Sequence, residues 1–445
     1  MKKNIAFCLL LLLLVSACKK STTNNTAQDN TFFHVYNVQI AKNNKTTNTT
    51  IASSGALASD ANGNIYAWYS DSVISGNNRF AILKTDKNGN KIWNTSYFPF
   101  SPCRVDIDLN VNDYFSQDFI CIGLSLFICG KDTANNWEII KINCSDGSIA
   151  GRFPLNSLEP ARSYNYFLIY SIWPTKDGNI LINAFSDLGG FGTPTLAKMD
   201  LSGNVIWVNN NFPSRVPDST AFEEFPYCMM ELNGNYVYGT VGMHNFTGVG
   251  VYSAYTFTSS TLYLHYLSSS SGNILNTDSL TQGTYNNSSG NPAFINGNGA
   301  SQVFSIFPSS LGGYIILSSE IYDVTQDARV KILKTDASLH ATDSSYISLG
   351  NSMVSCAVQD HDGNIIMSVF NQVFPIPNAI CMLYKIAPDG SIVAHNQVGL
   401  SNQSAFISGM CPASDDYIFM AGLIQFSNID TNNLFILKTD NNVQF

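Results

Sequence analysis

Seven times along this chain an apolar run closes on the same position and passes into a turn. The copies are Lys84 in ILKTD, Lys141 in IIKIN, Lys198 in LAKMD, His265 in YLHYL, Lys334 in ILKTD, Lys385 in LYKIA and Lys438 in ILKTD. Successive copies lie 57, 57, 67, 69, 51 and 53 residues apart. A period of that length restricts the chain to folds built from one repeated supersecondary unit, each unit burying its faces against its neighbours.

The grammar inside each copy identifies the unit. Turns such as ANGN (61–64), KDGN (176–179), LNGN (232–235) and HDGN (361–364) precede strongly apolar runs, IYAWYS, ILINAFS, YVYGTVG, YIILSSE, IIMSVF and YIFMAGL. Asn-Gly and Asp-Gly between apolar runs favour tight hairpins, because their turns require positive φ. After a variable loop comes the lysine run, a second turn, and a strand such as KIWNTSY or VIWVNN. Four strands joined this way, seven times over, predict an all-β seven-bladed β-propeller of four-stranded antiparallel blades. No helical segment is read after residue 20. The last copy stops at NNVQF, short of an outer strand. The alternating stretch Phe32–Ile40 is therefore expected to complete or cover the outer edge of the last blade, closing the ring and hiding an open edge.

Residues 1–31 read differently. Lys2 and Lys3, the apolar run Ile5 to Val15, and small Ser16 and Ala17 describe a secretory leader. VSAC resembles the bacterial lipobox, which implies cleavage after residue 17 and lipid on Cys18. The expected organisation is a signal peptide over 1–17, the lipidated cysteine and a polar tether over 18–31, and the propeller over 32–445. That address is the bacterial envelope, anchored to the outer membrane on its periplasmic side or at the cell surface. No acidic cluster follows Cys18, which leans towards the periplasmic leaflet. The formal charge is −9, or −11 without Lys2 and Lys3. An acidic chain without basic runs argues against a nucleic-acid partner.

In a propeller the inner-to-second and third-to-outer turns share one face, and the second-to-third loops and blade connections share the other. Here the first class is short, with ASLH (337–340) and SDD (414–416) as its irregular members. The second holds the length, chiefly 243–261 and 281–300, then 371–379 and 186–194. These loops carry Phe246, Tyr252, Tyr255, Phe257, Tyr285, Phe294 and Phe374. Flat rings among Ser, Asn and Gly suit sugars or an extended peptide, and Phe246, Tyr252, Tyr255, Tyr285 and Phe374 are the candidate ligand-binding residues. The competing reading is that these rings pack the loops onto the blades.

Catalytic signatures are missing: there is no HExxH, G-x-S-x-G or phosphate-binding glycine loop. No catalytic residue, metal or cofactor is assigned. The six histidines are scattered along the repeats, and His265, standing where the lysine usually is, reads as structural. DHDGN (360–364) and DIDLNVND (106–113) offer calcium-like oxygen spacing, but the first lies where every repeat turns. Ten cysteines show no zinc spacing. Cys121 and Cys129 either face each other across a hairpin and oxidise or are small buried apolar residues.

KTDKNGNKIW and KMDLSGNVIW resemble the Asp-x-x-Gly…Trp repeat of quinoprotein-like (PQQ-like) propellers, and the related repeats of Bacteroidota secreted proteins. The resemblance implies the fold. Quinoprotein dehydrogenases add a vicinal disulfide and a calcium-bound carboxylate, and no Cys-Cys pair occurs here. Non-enzymatic lipoproteins of this shape act as outer-membrane assembly scaffolds, which implies a binding or scaffolding role with a glycan or envelope protein as partner. The alternative is a polysaccharide-active or quinoprotein-like enzyme with carboxylates around the axis. Asp71-Ser72-Val73, Asp132-Thr133-Ala134, Asp218-Ser219-Thr220 and Asp278-Ser279-Leu280 also resemble O-glycosylation acceptors of Bacteroides-like bacteria.

Overall fold

The computed structural model describes residues 31–36, 54–74, 77–97, 100–102, 118–158, 166–187, 192–212, 223–244, 259–284, 302–321, 328–348, 352–371, 380–399, 403–413, 417–426, 432–440 and 442–444. Strand β1 (Phe32–Tyr36) comes first. Blade 1 follows as β2 (Ser54–Ser59), β3 (Ile65–Ile74), β4 (Asn77–Thr85) and β5 (Lys91–Tyr97). Blade 2 holds β6 (Ser101–Pro102), β7 (Phe119–Ile122), β8 (Ser125–Lys131), β9 (Trp137–Asn143) and β10 (Ile149–Pro154). Blade 3 is β11 (Tyr166–Pro174) to β14 (Val205–Asn209), and blade 4 is β15 (Glu223–Leu232) to β18 (Ile274–Thr284). Blade 5 is β19 (Gln302–Pro308) to β22 (Ala341–Ile347), and blade 6 is β23 (Ser352–Gln359) to β26 (Ile392–Val398). Blade 7 is β27 (Gln403–Pro412), β28 (Ile418–Phe426) and β29 (Asn432–Thr439). One short 3-10 turn, Asn156–Leu158, is the sole helix among the described residues.

The inner strand of each blade meets the neighbouring blade around the circle, β15 through the second and third strands of blade 3, and the last, β27, touches both β23 and β2. The seventh blade lacks an outer strand of its own and takes β1, in the order β1-β29-β28-β27. Phe32 stands opposite Lys438 and Tyr36 opposite Leu434. The expected closure is therefore present over Phe32–Tyr36; residues 37–40 lie outside the described residues.

Both faces of every inner blade are covered, so second and third strands read as continuous apolar runs rather than alternating ones. In β12 (Ile180–Asp187), Ile180, Ile182 and Ala184 point towards blade 2, while Leu181 packs with Tyr236 and Tyr238 of blade 4. The core is accordingly seven apolar wedges, one between each pair of neighbouring blades.

Six inner strands share an irregularity: pairing with the second strand shifts once near mid-strand, for example between Ile169 and Ser171 and between Val354 and Cys356. Such bulges bend and twist a strand. Blade 2 differs, since its inner strand is split at that point. β7 pairs with β8 from Ser125 to Ile128, Cys129 N–H donates to Asp118 O, and β6 resumes opposite Gly130 and Lys131. The chain leaves after Pro102 and returns at Asp118. DIDLNVND sits in that interval, outside the described residues.

The turns explain the repeated aspartates. Asp60, Asp86, Asp132, Asp200, Asp336, Asp360 and Asp440 each accept, on Oδ1, the backbone N–H four residues on. This Asx capping uses the aspartate's own lone pairs to hold the hairpin. DHDGN is one of these turns, its Asp360 bonded to Asn364 through backbone and side chain. At Asp60, Asp86 and Asp132 burial opposes the charged form, but the turn hydrogen bonds outweigh it and hold the carboxyls below their ordinary range. At Asp200 and Asp336 the bonds from Asn204 and His340 lead the same downward shift.

A group with a depressed folded pKa stabilises the fold above its unfolded value and loses that contribution as pH falls through the folded value. The unfolding midpoint should therefore hold steady near neutrality and drop steeply below about pH 4, where unfolded carboxylates take up protons. Asn at Asp86, Asp132 and Asp200 together should flatten that slope. Calorimetry from pH 7 to 2.5 tests this, and a midpoint indifferent to pH down to 3 would refute it.

Candidate functional site

The repeat residues with the most conspicuous chemistry meet one another across blade boundaries. Lys84 Nζ of blade 1 donates to Cys144 O in the third-to-outer turn of blade 2, at 2.8 Å. Lys141 of blade 2 donates to Leu201 O of blade 3 at 3.3 Å, and Lys198 of blade 3 to Ser269 O of blade 4 at 3.0 Å. Lys198 also meets Asp177 Oδ2 at 2.6 Å. A buried ammonium without such partners would be costly.

The tryptophans follow the same route. Trp93 lies opposite Lys84 and Trp207 opposite Lys198. Their indole N–H groups reach the carbonyls the lysines use, Cys144 O and Ser269 O, each at 3.3 Å. Their rings press on the glycine of the same turn. A Cβ on Gly147 would stand 3.3 Å from Trp93, and one on Gly272 only 2.4 Å from Trp207. Phe153 covers Gly203 in the same way, and Phe32 with His34 covers Gly89. Tyr36 O–H donates to Gly89 O at 2.6 Å, so the ring-closing strand repeats the pattern.

At two boundaries where the preceding blade offers a smaller group, the turn residue is larger than glycine. Blade 6 has Ala394 opposite Lys385, and Val443 fills the wedge beyond it. Blade 4 has Thr277 opposite His265, and Leu339 packs on Val237 and Leu264 of that blade. Val443 and Leu339 both keep the positive φ that glycine takes elsewhere, a strained choice for such side chains. His265 is buried, its ring nitrogens 3.1 Å from Thr240 Oγ1 and 2.9 Å from Thr277 Oγ1, with Phe212 packed edge-on. These are scaffold positions.

The face bearing the short turns is also laced together. Ser59 O–H donates to Pro412 O, Glu231 accepts Lys176 N–H at 2.8 Å, and Gln359 donates to Pro308 O at 2.8 Å. Those bonds join blades 1 and 7, 3 and 4, and 5 and 6. Among described side chains, Glu231 is the sole carboxylate on an inner strand, and it is engaged in that lacing. Among the described residues no three His, Cys, Asp or Glu group together to hold a metal ion.

The predicted ligand residues Phe246, Tyr252, Tyr255, Tyr285 and Phe374, and Cys18, lie outside the described residues. The strands bounding the two longest loops are described. β16 (Asn235–His244) ends at one and β17 (Ser259–Ser268) begins after it, while β18 ends at the start of the second. Of the acceptor-like tripeptides, Asp71-Ser72-Val73 and Asp278-Ser279-Leu280 fall within strands and Asp132-Thr133-Ala134 forms an exposed turn; Asp218-Ser219-Thr220 lies outside the described residues.

The cysteine pairing considered from the hairpin does not occur. Cys121 stands opposite Leu126 and faces the wedge between blades 1 and 2. Cys129 belongs to the wedge between blades 2 and 3. Leu126 shares the face of Cys121, and Cys129, three residues further along β8, points to the opposite face. The neighbour of Cys121 is Cys144, with Sγ atoms 3.8 Å apart. Sequence spacing along one hairpin carries no sign of it, because Cys144 belongs to the next turn at the same end of the blade, after β9.

No family model matches the chain, and no curated protein matches it. Similar solved structures include a puromycin hydrolase, 10% identical with a TM-score of 0.49, covering 88% of this chain. This chain spans about half of that one, 53%. The polysaccharide lyase Uly1 is 9% identical with a TM-score of 0.48, covering 88% of this chain and 91% of its own. The β-propeller domain of the Trilobed protease from Pyrococcus furiosus is 11% identical with a TM-score of 0.44, covering 89% and 99%. No activity is carried over from them.

Proposed function

We propose that this chain is a lipid-anchored envelope protein acting as a non-catalytic binding or scaffolding propeller, with a glycan or protein partner held on the face of long loops. The observation that carries the reading is the fate of the repeat. Its lysines, aspartates, tryptophans and glycines form blade-to-blade bonds and turn caps, and the short-turn face is closed by hydrogen bonds between blades. Blades differ in the interval that splits the inner strand of blade 2, and in the lengths between second and third strands and between blades, which are greatest around blade 4. Aromatic residues in those insertions, Phe246, Tyr252, Tyr255 and Tyr285, with Phe374, supply flat contact area among small polar groups.

The test displays residues 21–445 to arrayed polysaccharides and to purified envelope proteins, beside a variant in which 246–257 is replaced by a short Gly-Ser linker. The reading expects a retained partner and a loss of at least about tenfold in affinity with the variant, as for removal of an aromatic hot spot. Binding unaffected by the replacement overturns the loop-face assignment, and turnover of a bound polysaccharide overturns the non-catalytic one. For the anchor, Cys18→Ala should move the protein from the detergent phase to the aqueous phase and abolish fatty-acid labelling in a bacterial host.

A further inference from the structure

Among the described residues, blade 2 has the one inner strand that is interrupted. β7 offers four paired residues, Phe119 to Ile122, and β6 contributes two beyond the interruption. Beside it sits a pair of thiols drawn together by two turns. Cys144 N–H donates to Leu124 O at 3.0 Å, so the turn after β9 folds onto the turn between β7 and β8. That contact sets Cys144 Sγ 3.8 Å from Cys121 Sγ. Cys144 is buried, while Cys121 remains partly exposed. On the same side, Lys84 and Trp93 of blade 1 hold the Cys144 carbonyl, fixing the backbone that presents the thiol.

We propose that Cys121 and Cys144 form an intrachain disulfide when the protein meets an organic disulfide oxidant, stapling the split inner strand of blade 2 to that blade's third-to-outer turn. A modest side-chain rotation closes the gap to bonding distance, about 2 Å. The reaction is thiol–disulfide exchange. Cys121, the accessible sulfur, gives up its proton and attacks one sulfur of the oxidant as thiolate, forming a mixed disulfide and expelling one thiolate. Its hydrogen bond to Cys144 and its burial push its thiol well above the ordinary range, which makes this the slower step. Cys144 then attacks the Cys121 sulfur and expels the second. The protein loses two electrons and two protons, and the oxidant gains both to become two thiols. The surroundings suit the second step. In the reduced protein the hydrogen bond from Cys121 leads the downward shift of the Cys144 thiol. Once Cys121 is held in the mixed disulfide, the Tyr66 hydroxyl and the Lys84 ammonium remain to favour the Cys144 thiolate against burial and the Asp60 carboxylate. The bond would span residues that are now tied only by a short ladder, and closing such a loop stabilises mainly by restricting the unfolded chain.

The test treats the purified full chain with oxidised glutathione, alkylates remaining thiols, and digests with trypsin. Tryptic peptides 105–131 and 142–152 should appear as one species that separates on reduction. Because 105–131 holds both Cys121 and Cys129, a second cleavage after Phe127 assigns the link to Cys121. Cys129→Ala should leave the link intact, and Cys121→Ala should abolish it. The oxidised protein should unfold a few degrees above the reduced one, and Cys121→Ala should show no such shift. If Cys144→Ala fails to fold, Cys121→Ala carries the test alone. Recovery of both peptides as alkylated thiols, a link from Cys144 to Cys103 or Cys129, or a lasting glutathione adduct on Cys121 would each overturn the proposal.

Discussion

A chain lacking residues 32–36 should lose on the order of 5 kcal/mol of stability and aggregate on mild heating. That strand supplies the whole outer edge of blade 7, with five residues in register against β29. Without it, the backbone groups of Asn432–Thr439 that β1 satisfies become an open template for another chain. Phe33 stacks on Phe435 at 5.2 Å, and Phe32 lies near Phe419 at 6.4 Å. Removing both uncovers apolar surface worth roughly 2 kcal/mol per ring, before any ladder hydrogen bond is counted. The blade 7 to blade 1 boundary also loses Tyr36 on Gly89 O and the rings covering that glycine. Denaturant titration of full-length and shortened chains gives the difference. A synthetic peptide of residues 31–41 added in trans should restore part of it, because the slot on β29 remains. Equal midpoints for the two chains would show that β1 is not part of the ring's stability.

Gly272→Ala should cost about 3 kcal/mol, far more than the same change at Gly178. Both glycines have positive φ, at 70° and 77°, where a side chain costs roughly 1–2 kcal/mol. They differ in surroundings. A Cβ at Gly272 meets Trp207 Cε3 at 2.4 Å, whereas one at Gly178 meets nothing within 4 Å. The excess at Gly272 is therefore the price of displacing a ring held between two blades, in the range of overpacking penalties, about 1–3 kcal/mol. Trp207→Ala alone should also cost about 3 kcal/mol, as a large-to-small change at a buried ring. The double variant should be less destabilised than the sum of the singles by 1 kcal/mol or more, since the ring that clashes is gone. Strict additivity would mean that the tryptophan and the glycine do not act on each other across the boundary.

That coupling bears on how far the fold was legible in the residues. Lys84, Asp86, Gly89 and Trp93 look like one local motif, and the Asp86 cap is local, closing its own hairpin through Asn90. The other three act on different blades. Lys84 and Trp93 reach blade 2, while Gly89 receives Phe32, His34 and Tyr36 of the closing strand. The scarcity of tryptophan among the copies has the same origin. Phe153 covers Gly203 from a position two residues beyond Gly151, and Val443 or Leu339 fills the wedge from the opposite side. What persists around the ring is the filled volume between blades, and several residue pairs fill it. A motif written along one copy cannot express a rule about two copies.

The sequence by itself determined the blade count, the four-strand grammar and the strand that closes the ring. The recurring lysine run counts the copies, Gly turns between apolar runs are properties of neighbouring residues, and the alternating stretch from Phe32 stands outside every copy. Only the tertiary structure decided where Lys84, Trp93 and Cys121 find their partners. Their partners come from the next blade or another turn of the same one. Cys121 meets Cys144, whereas the hairpin spacing offered Cys129 as a partner beside the reading that both are buried apolar residues. Sheet alternation rules out the nearer cysteine, and the fold of one turn onto another supplies the farther one.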